Sequence, residues 1–202
     1  VVSAVDDVRL GRADVVIAGG ADAGVNPTVL AAFDSLRAMS RRDDDPAGAI
    51  RPFDATRDGF LLAEGAGALV LESASHAADR GATAYAEVTG VGRSADADHP
   101  ARPASDARGL TAAVEGALAD AGRPPSTVDH VNAHATATPR GDDHEALCLR
   151  QVFDDPPPVT ANKGNLGHSL GASGAVEAVL TVTALREGTI PPTLNHETPD
   201  CE

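Results

Sequence analysis

Tryptophan is missing from the 202 residues, and four Phe and one Tyr are the whole aromatic complement. Stacking of bases on aromatic rings, the usual way to hold a single nucleic-acid strand, therefore has little to build on. Positive charge is scarce too. Sixteen Lys and Arg, almost all of them Arg, face 30 Asp and Glu, for a net charge of -14. That balance argues against non-specific binding to phosphate backbones, which depends on clustered cations. Cysteine occurs only as Cys148 and Cys201, too few for a disulfide framework and in keeping with a reducing compartment. No run approaches the ~18 apolar residues of a membrane span, and the first residues resemble neither a signal nor a transit peptide. A cytoplasmic location is expected.

What is present is the material of a folded body. Hydrophobic residues make up 42%, the charge is spread along the chain rather than gathered in an acidic tail, and 202 residues can bury a real core. Helical spacing predicts helices over 28–39 (with Val29, Leu30, Phe33 and Leu36 on one side), 75–81, 109–122, 142–153 and 174–187. Strands are expected over 13–18, closed by Gly19-Gly20, and over 84–94, 128–133 and 158–161. Residues 60–72 read as a strand pair or a bulged strand, and 41–48 as a loop. Strands alternating with helices predict an α/β fold with a partly parallel sheet. No internal repeat or linker interrupts it. The start inside an apparent helix and the stop after a Pro-rich stretch read as cut ends, so a fragment is expected.

Two segments could carry chemistry. The first runs Val131-Asn132-Ala133-His134-Ala135-Thr136-Ala137-Thr138-Pro139, with Asp142 and Glu145 following. It places a histidine at the carboxyl end of a buried strand, where open α/β sheets set their sites, and two hydroxyls beside it. An ordinary capping loop, with Thr138 as N-cap and Pro139 at the first helical position, accounts for it equally well. The second segment, from Asn162-Lys163-Gly164 through Gly167-His168-Ser169 to Ser173-Gly174, has four glycines in eleven residues and permits close backbone approach. Lys163 precedes the glycines, which does not fit a phosphate-binding P-loop. His134, His144 and His168 with Asp142 could also be metal ligands, although their spacing fits no compact zinc pattern.

Taken together, these two segments resemble the β-ketoacyl-acyl carrier protein synthases of the thiolase-like superfamily. That family carries His-Gly-Thr-x-Thr and, further on, a Lys followed by Gly-His in a Gly-rich stretch. The counterparts are His134-Ala135-Thr136-Ala137-Thr138 and Lys163 with Gly167-His168, with Ala135 in place of the usual Gly. Gly19-Gly20-Ala21-Asp22, Ala38-Met39-Ser40, the block from Arg51-Pro52-Phe53-Asp54 through Arg57-Asp58-Gly59-Phe60 to Glu64-Gly65-Ala66, and Ile190-Pro191-Pro192-Thr193-Leu194-Asn195 extend the resemblance along the chain. The elongating synthases of bacterial type II fatty acid synthesis are the nearest type.

The resemblance implies a layered α-β-α-β-α body of two similar halves. Residues 1–75 would close the first half, and 76–202 would form most of the second. It implies decarboxylative Claisen condensation of malonyl-carrier protein with an acyl group held on a cysteine. The family's nucleophile is expected ahead of Val1, and neither Cys148 nor Cys201 matches its motif. By the same resemblance His134 and His168 donate to the enolate oxygen, with Lys163 beside them, and Thr136 and Thr138 bind the pantetheine arm. Phe33 lines the acyl pocket or is simply a core residue. Glu145 and Asp142 match family acids, with Glu145 completing a Lys-carboxylate network, or both are merely charge at a helix N-terminus. Arg37, with Arg41 or Arg42, meets the acidic carrier protein or is simply part of a solvated helix face. A homodimer is implied, and no metal or organic cofactor, since phosphopantetheine belongs to the carrier. Alternatives are a polyketide ketosynthase or a non-catalytic chain-length-factor subunit. The latter usually disrupts the His pair. Initiating synthases pair His with Asn, whereas this chain offers two His.

Overall fold

The computed structural model of the protein describes residues 1–100 and 102–200; Cys201 lies outside the described residues. Helix α1 (Val2–Arg9) ends where Gly11 turns left-handed, at φ 64. Strand β1 (Val15–Asp22) then pairs antiparallel with β2 (Gly65–Glu72), from Val15 opposite Glu72 to Asp22 opposite Gly65. Gly19-Gly20 does not end the strand as expected, because β1 continues to Asp22. The glycines serve close approach instead. A Cβ on Gly20 would stand 2.6 Å from the Gly171 carbonyl oxygen. Across the ladder, Gly67 gives the same room to the backbone of Ala175 in helix α7 (Ser173–Glu187), which packs on this face of the sheet. Nor is the strand wholly buried: Ile17 and its cross-strand partner Val70 are 76% and 66% exposed on the opposite face.

Helix α2 (Pro27–Ser35) starts where the Asn26 side chain accepts the N–H groups of Thr28 and Val29. It stops short of the expected Met39 because Arg37 adopts φ 54, which frees Met39 to bridge to Phe60 and leaves Leu36 in solvent. The 60–72 stretch is divided. Phe60 and Leu62 bridge to two different neighbours, Met39 and His168, and only the second run is β2. After helix α3 (Ala74–Asp79), residues 84–94 form no ladder, in contrast to the expected strand. They pack instead on helix α4 (Arg108–Ala121), where Gly90 and Gly92 lie so close that a Cβ on either would strike its backbone.

The parallel component is short: β3 (Val131–Asn132) runs beside β4 (Val159–Thr160). Helix α5 (Pro139–Val152) lies between them in sequence and packs on α4. Helix α6 (Lys163–Leu166) follows β4 directly. The architecture is α/β. Its core is built of alanines and a few aromatics, in one cluster around Ile50, Phe60 and Ala137 and another around Ala133, Ala135 and Ala161.

Candidate active site

The site gathers at the carboxyl ends of β3 and β4. Ala133 extends the ladder by donating its N–H to the Thr160 carbonyl, and His134 is the first residue beyond it. The loop is then pinned from below. One Glu145 carboxylate oxygen accepts the His134 N–H at 2.8 Å and the other accepts the Ala135 N–H at 2.6 Å. Burial pushes the Glu145 carboxyl up, and these two donors with nearby Lys163 counteract it. Ala133, Ala135 and Ala161 lie under this loop with Phe53 packed against them, so small side chains here let the two strand ends converge.

Lys163 begins α6 and is buried. Its Nζ donates to the His134 carbonyl and to Glu177 Oε1, both at 2.5 Å, and stands 3.4 Å from His134 Nδ1. The direct ion pair is with Glu177, where Glu145 had been expected to complete the Lys-carboxylate network. Glu145 spends its oxygens on backbone amides. Glu177 carries no motif, and its only signal in the sequence is being an acid on the apolar helix α7. Burial raises its pKa against the pull of Lys163.

His168 is fixed through its backbone as if it were a strand residue. Its N–H donates to the Leu61 carbonyl and its carbonyl accepts from the Ala63 N–H, while Gly167, at φ 78, makes the turn before it. Its ring packs edge-to-face on His134 (centroids 5.5 Å) and on Phe60 (5.0 Å). Phe60 in turn meets Phe33 at 5.4 Å. Phe33 is thus a half-buried member of the aromatic cluster, one ring removed from His168.

Proton placement on both imidazoles follows from their donors. Lys163 Nζ has only hydrogens to offer, so His134 Nδ1 faces it as an acceptor. Nδ1 of His168 receives the Leu170 N–H. In each ring the remaining proton therefore sits on Nε2. Burial, and then the charge of Lys163, push both pKa values down to about 4, with His168 also lowering His134. Both rings are neutral donors at pH 7.

The other expected residues occupy defined places. Thr136 and Thr138 pair hydroxyl to hydroxyl at 3.0 Å. Thr138 is the N-cap of α5 and Pro139 its first residue, yet the Thr138 side chain does not cap the helix. A cleft of about 490 Å3 beside His134 is lined by Thr136, His144, Ser94 and Leu110. Asp142 is fully buried and stands apart from the His pair. It accepts the Phe53 N–H at 2.8 Å, with the Arg57 guanidinium 3.9 Å away. Burial lifts its pKa to about 6. Among the described residues no three His, Cys, Asp or Glu gather as a metal site. Cys148 is buried in α5, and burial pushes its thiol up. Arg37 is exposed beyond α2, Arg41 pairs with Asp34, and Arg42 binds the Thr56 carbonyl.

Residues 85–197 match the family described as Beta-ketoacyl synthase, C-terminal domain, and residues 1–77 match Beta-ketoacyl synthase, N-terminal domain. The chain belongs to the β-ketoacyl synthase family. It is 46% identical over 191 residues to a 3-oxoacyl-[acyl-carrier-protein] synthase 2 of Coxiella burnetii, covering 93% of this chain and 46% of that protein. It is 44% identical over 202 residues to the chloroplastic 3-oxoacyl-[acyl-carrier-protein] synthase II of Arabidopsis thaliana, covering 99% and 37%. A β-ketoacyl synthase structure from Burkholderia phymatum superposes with a TM-score of 0.94 at 38% identity, over 98% of this chain and 48% of that one. The ketosynthase in a type II polyketide complex with its acyl-carrier protein gives 0.95 at 35%, over 98% and 50%. The fold is that of the thiolase-like ketosynthases, and the chain spans about half the length of these synthases. No helix among the described residues is long and apolar enough to cross a membrane.

Proposed function

We propose that this chain supplies the decarboxylation and condensation centre of a 3-oxoacyl-[acyl-carrier-protein] synthase acting in fatty acid elongation. The observation that carries the reading is the edge-to-face His134–His168 pair, with both Nδ1 atoms engaged and both Nε2–H groups left as donors. Loss of carbon dioxide from a malonyl thioester leaves an electron pair that delocalises onto the thioester oxygen. Two fixed, neutral N–H donors lower the energy of that enolate without protonating it, and each such donor is typically worth ~2.7–4 kcal/mol. The carbanion then attacks the carbonyl carbon of the acyl thioester; as the carbon–carbon bond forms the carbon–sulfur bond breaks, and the cysteine leaves as its thiolate. Lys163 orients His134 through its carbonyl and Nδ1, and Glu177 and Glu145 hold Lys163 and the loop in register. Thr136 offers its hydroxyl for a pantetheine arm in the cleft, and Thr138 reaches that arm's path through its hydroxyl contact with Thr136.

The acyl-bearing cysteine in this reading lies ahead of Val1. Buried Cys148 is ill suited to the task. The fatty acid pathway is favoured over a polyketide one because the curated synthases are 42–46% identical, against 35% for the polyketide ketosynthase. The partners in this reading are a second copy of the synthase and an acyl carrier protein, in the cytoplasm, with a boundary between the two halves near residue 75. Joining this chain to the preceding half of the Coxiella burnetii relative provides the test. His134→Ala and His168→Ala should each lower malonyl decarboxylation ~10²–10³-fold while acyl loading of the cysteine persists. Undiminished decarboxylation in both variants would overturn the assignment.

A further inference from the structure

We propose that Ser173 is a positioning residue for His168. Its hydroxyl donates to Nδ1 and, with the Leu170 amide, confines the ring proton to the Nε2 that serves the reaction. The inference rests on the proposed function only for what that proton is used for.

Ser173 Oγ lies 3.0 Å from His168 Nδ1, and Ser169 Oγ lies 3.3 Å from Ser173 Oγ. A hydroxyl can donate or accept, but the backbone settles the direction. The Leu170 N–H, 3.3 Å from the same Nδ1, can only donate. Nδ1 is therefore an acceptor, and Ser173 contributes by donating as well. Its free lone pair then accepts from Ser169, giving a relay from Ser169 to Ser173 to His168. Both serines are buried, so water does not compete, and a buried hydroxyl without a partner would carry a desolvation cost.

The Leu170 amide alone is a weak guarantee of the tautomer. Its contact is long, and Leu170 holds φ 43, a left-handed conformation that a branched side chain disfavours. Ser173 starts α7, the helix that also carries Glu177, and so ties the imidazole to the element that holds Lys163. Lys163 and His134 are the titratable groups facing the ring, and the charge of Lys163 resists a positive charge on it; Phe60 meets the ring edge-to-face and carries no charge. The variable left open is which nitrogen of the neutral ring bears the proton, and that is what a second donor decides.

Nitrogen-15 NMR of the histidine-labelled 202-residue chain reads this directly, with His168→Gln to assign the signals. Wild type should show an unprotonated Nδ1 and a protonated Nε2 at neutral pH. Losing one hydrogen bond in Ser173→Ala should raise the Nδ1–H fraction about fivefold. Ser173→Thr, which restores the hydroxyl, should reverse the change, and Ser169→Ala should move it less. A protonated Nδ1 in wild type overturns the proposal even if the alanine variant fails to fold. So does an unchanged His168 signal in a folded Ser173→Ala. In the joined synthase Ser173→Ala should lower decarboxylation at constant KM by no more than the fraction of His168 that the NMR shows as Nδ1–H, whereas His168→Ala, which removes the donor, should lower it ~10²–10³-fold. Undiminished decarboxylation in His168→Ala would overturn the assigned reaction and leave the tautomer role standing.

Discussion

Lys163 and Glu177 face one another at 2.5 Å, the lysine at the start of α6 and the acid in the second turn of α7. Neither charge has much access to water. Glu177 keeps 16% of its side-chain surface exposed and Lys163 2%. Removing one partner from such a pair strands the other. Glu177→Ala should therefore destabilise the protein by about 3 kcal/mol, toward the low end of such losses because the acid is not fully enclosed. Urea unfolding of the chain measures it. Lys163→Met with Glu177→Leu should recover part of the loss, and a single variant as stable as wild type would remove the pair from the stability argument.

Asp142 should leave a signature in the pH dependence of stability. Burial raises its folded pKa from 3.8 to about 6, so between these values the native state holds more protons than the unfolded one. Stability then falls as pH rises through this window, by up to about 3 kcal/mol. The His pair acts in the opposite sense, since rings titrating near 4 when folded cost stability as pH drops below 6.5. Asp142→Asn isolates the carboxyl. Relative to wild type, the variant should gain stability between pH 4 and 6, and a pH-independent difference would contradict the assignment.

Cys148 should be inert in the native protein. Its thiol is buried in α5 and its pKa is raised by burial, both unfavourable for a thiolate nucleophile. With Cys201→Ser in the background, a thiol-reactive chromophore should find nothing to react with in native buffer within minutes and one thiol per chain in denaturant. Rapid native labelling would reopen Cys148 as a nucleophile.

Arg37 tests the carrier-protein surface. It projects past α2 in a chain of net charge -14, so an acidic carrier needs a local cation to approach. In the joined synthase Arg37→Glu should raise KM for malonyl-carrier protein severalfold at low salt and leave turnover of a small malonyl thioester unchanged. An unaltered KM would place the docking surface elsewhere.

That His134, Lys163 and His168 come together was legible because they stand in short glycine-rich and alanine-rich segments unlike the rest of the chain. Glu177 and Ser173 were not, because their roles arise only when α7 folds back over the ends of β3 and β4. Their local sequence reads simply as an apolar helix and its start. The strand expected over 84–94 has suitable residues, but pairing is a property of neighbours, and here the neighbour is a helix. Gly19-Gly20 misled in the other direction. Glycine permits a turn, and it equally permits a backbone to press against a strand that does not turn.

Lys163 is the sole lysine of the 202 residues, and it is buried against Glu177. The surface consequently offers no side-chain amine. An amine-directed tag or crosslinker applied to the native chain meets no lysine side chain at the surface, and the ε-amine becomes reactive only when the α6–α7 junction opens. Label taken up at Lys163 thus works as a clock for that opening, read by peptide mass with no variant required.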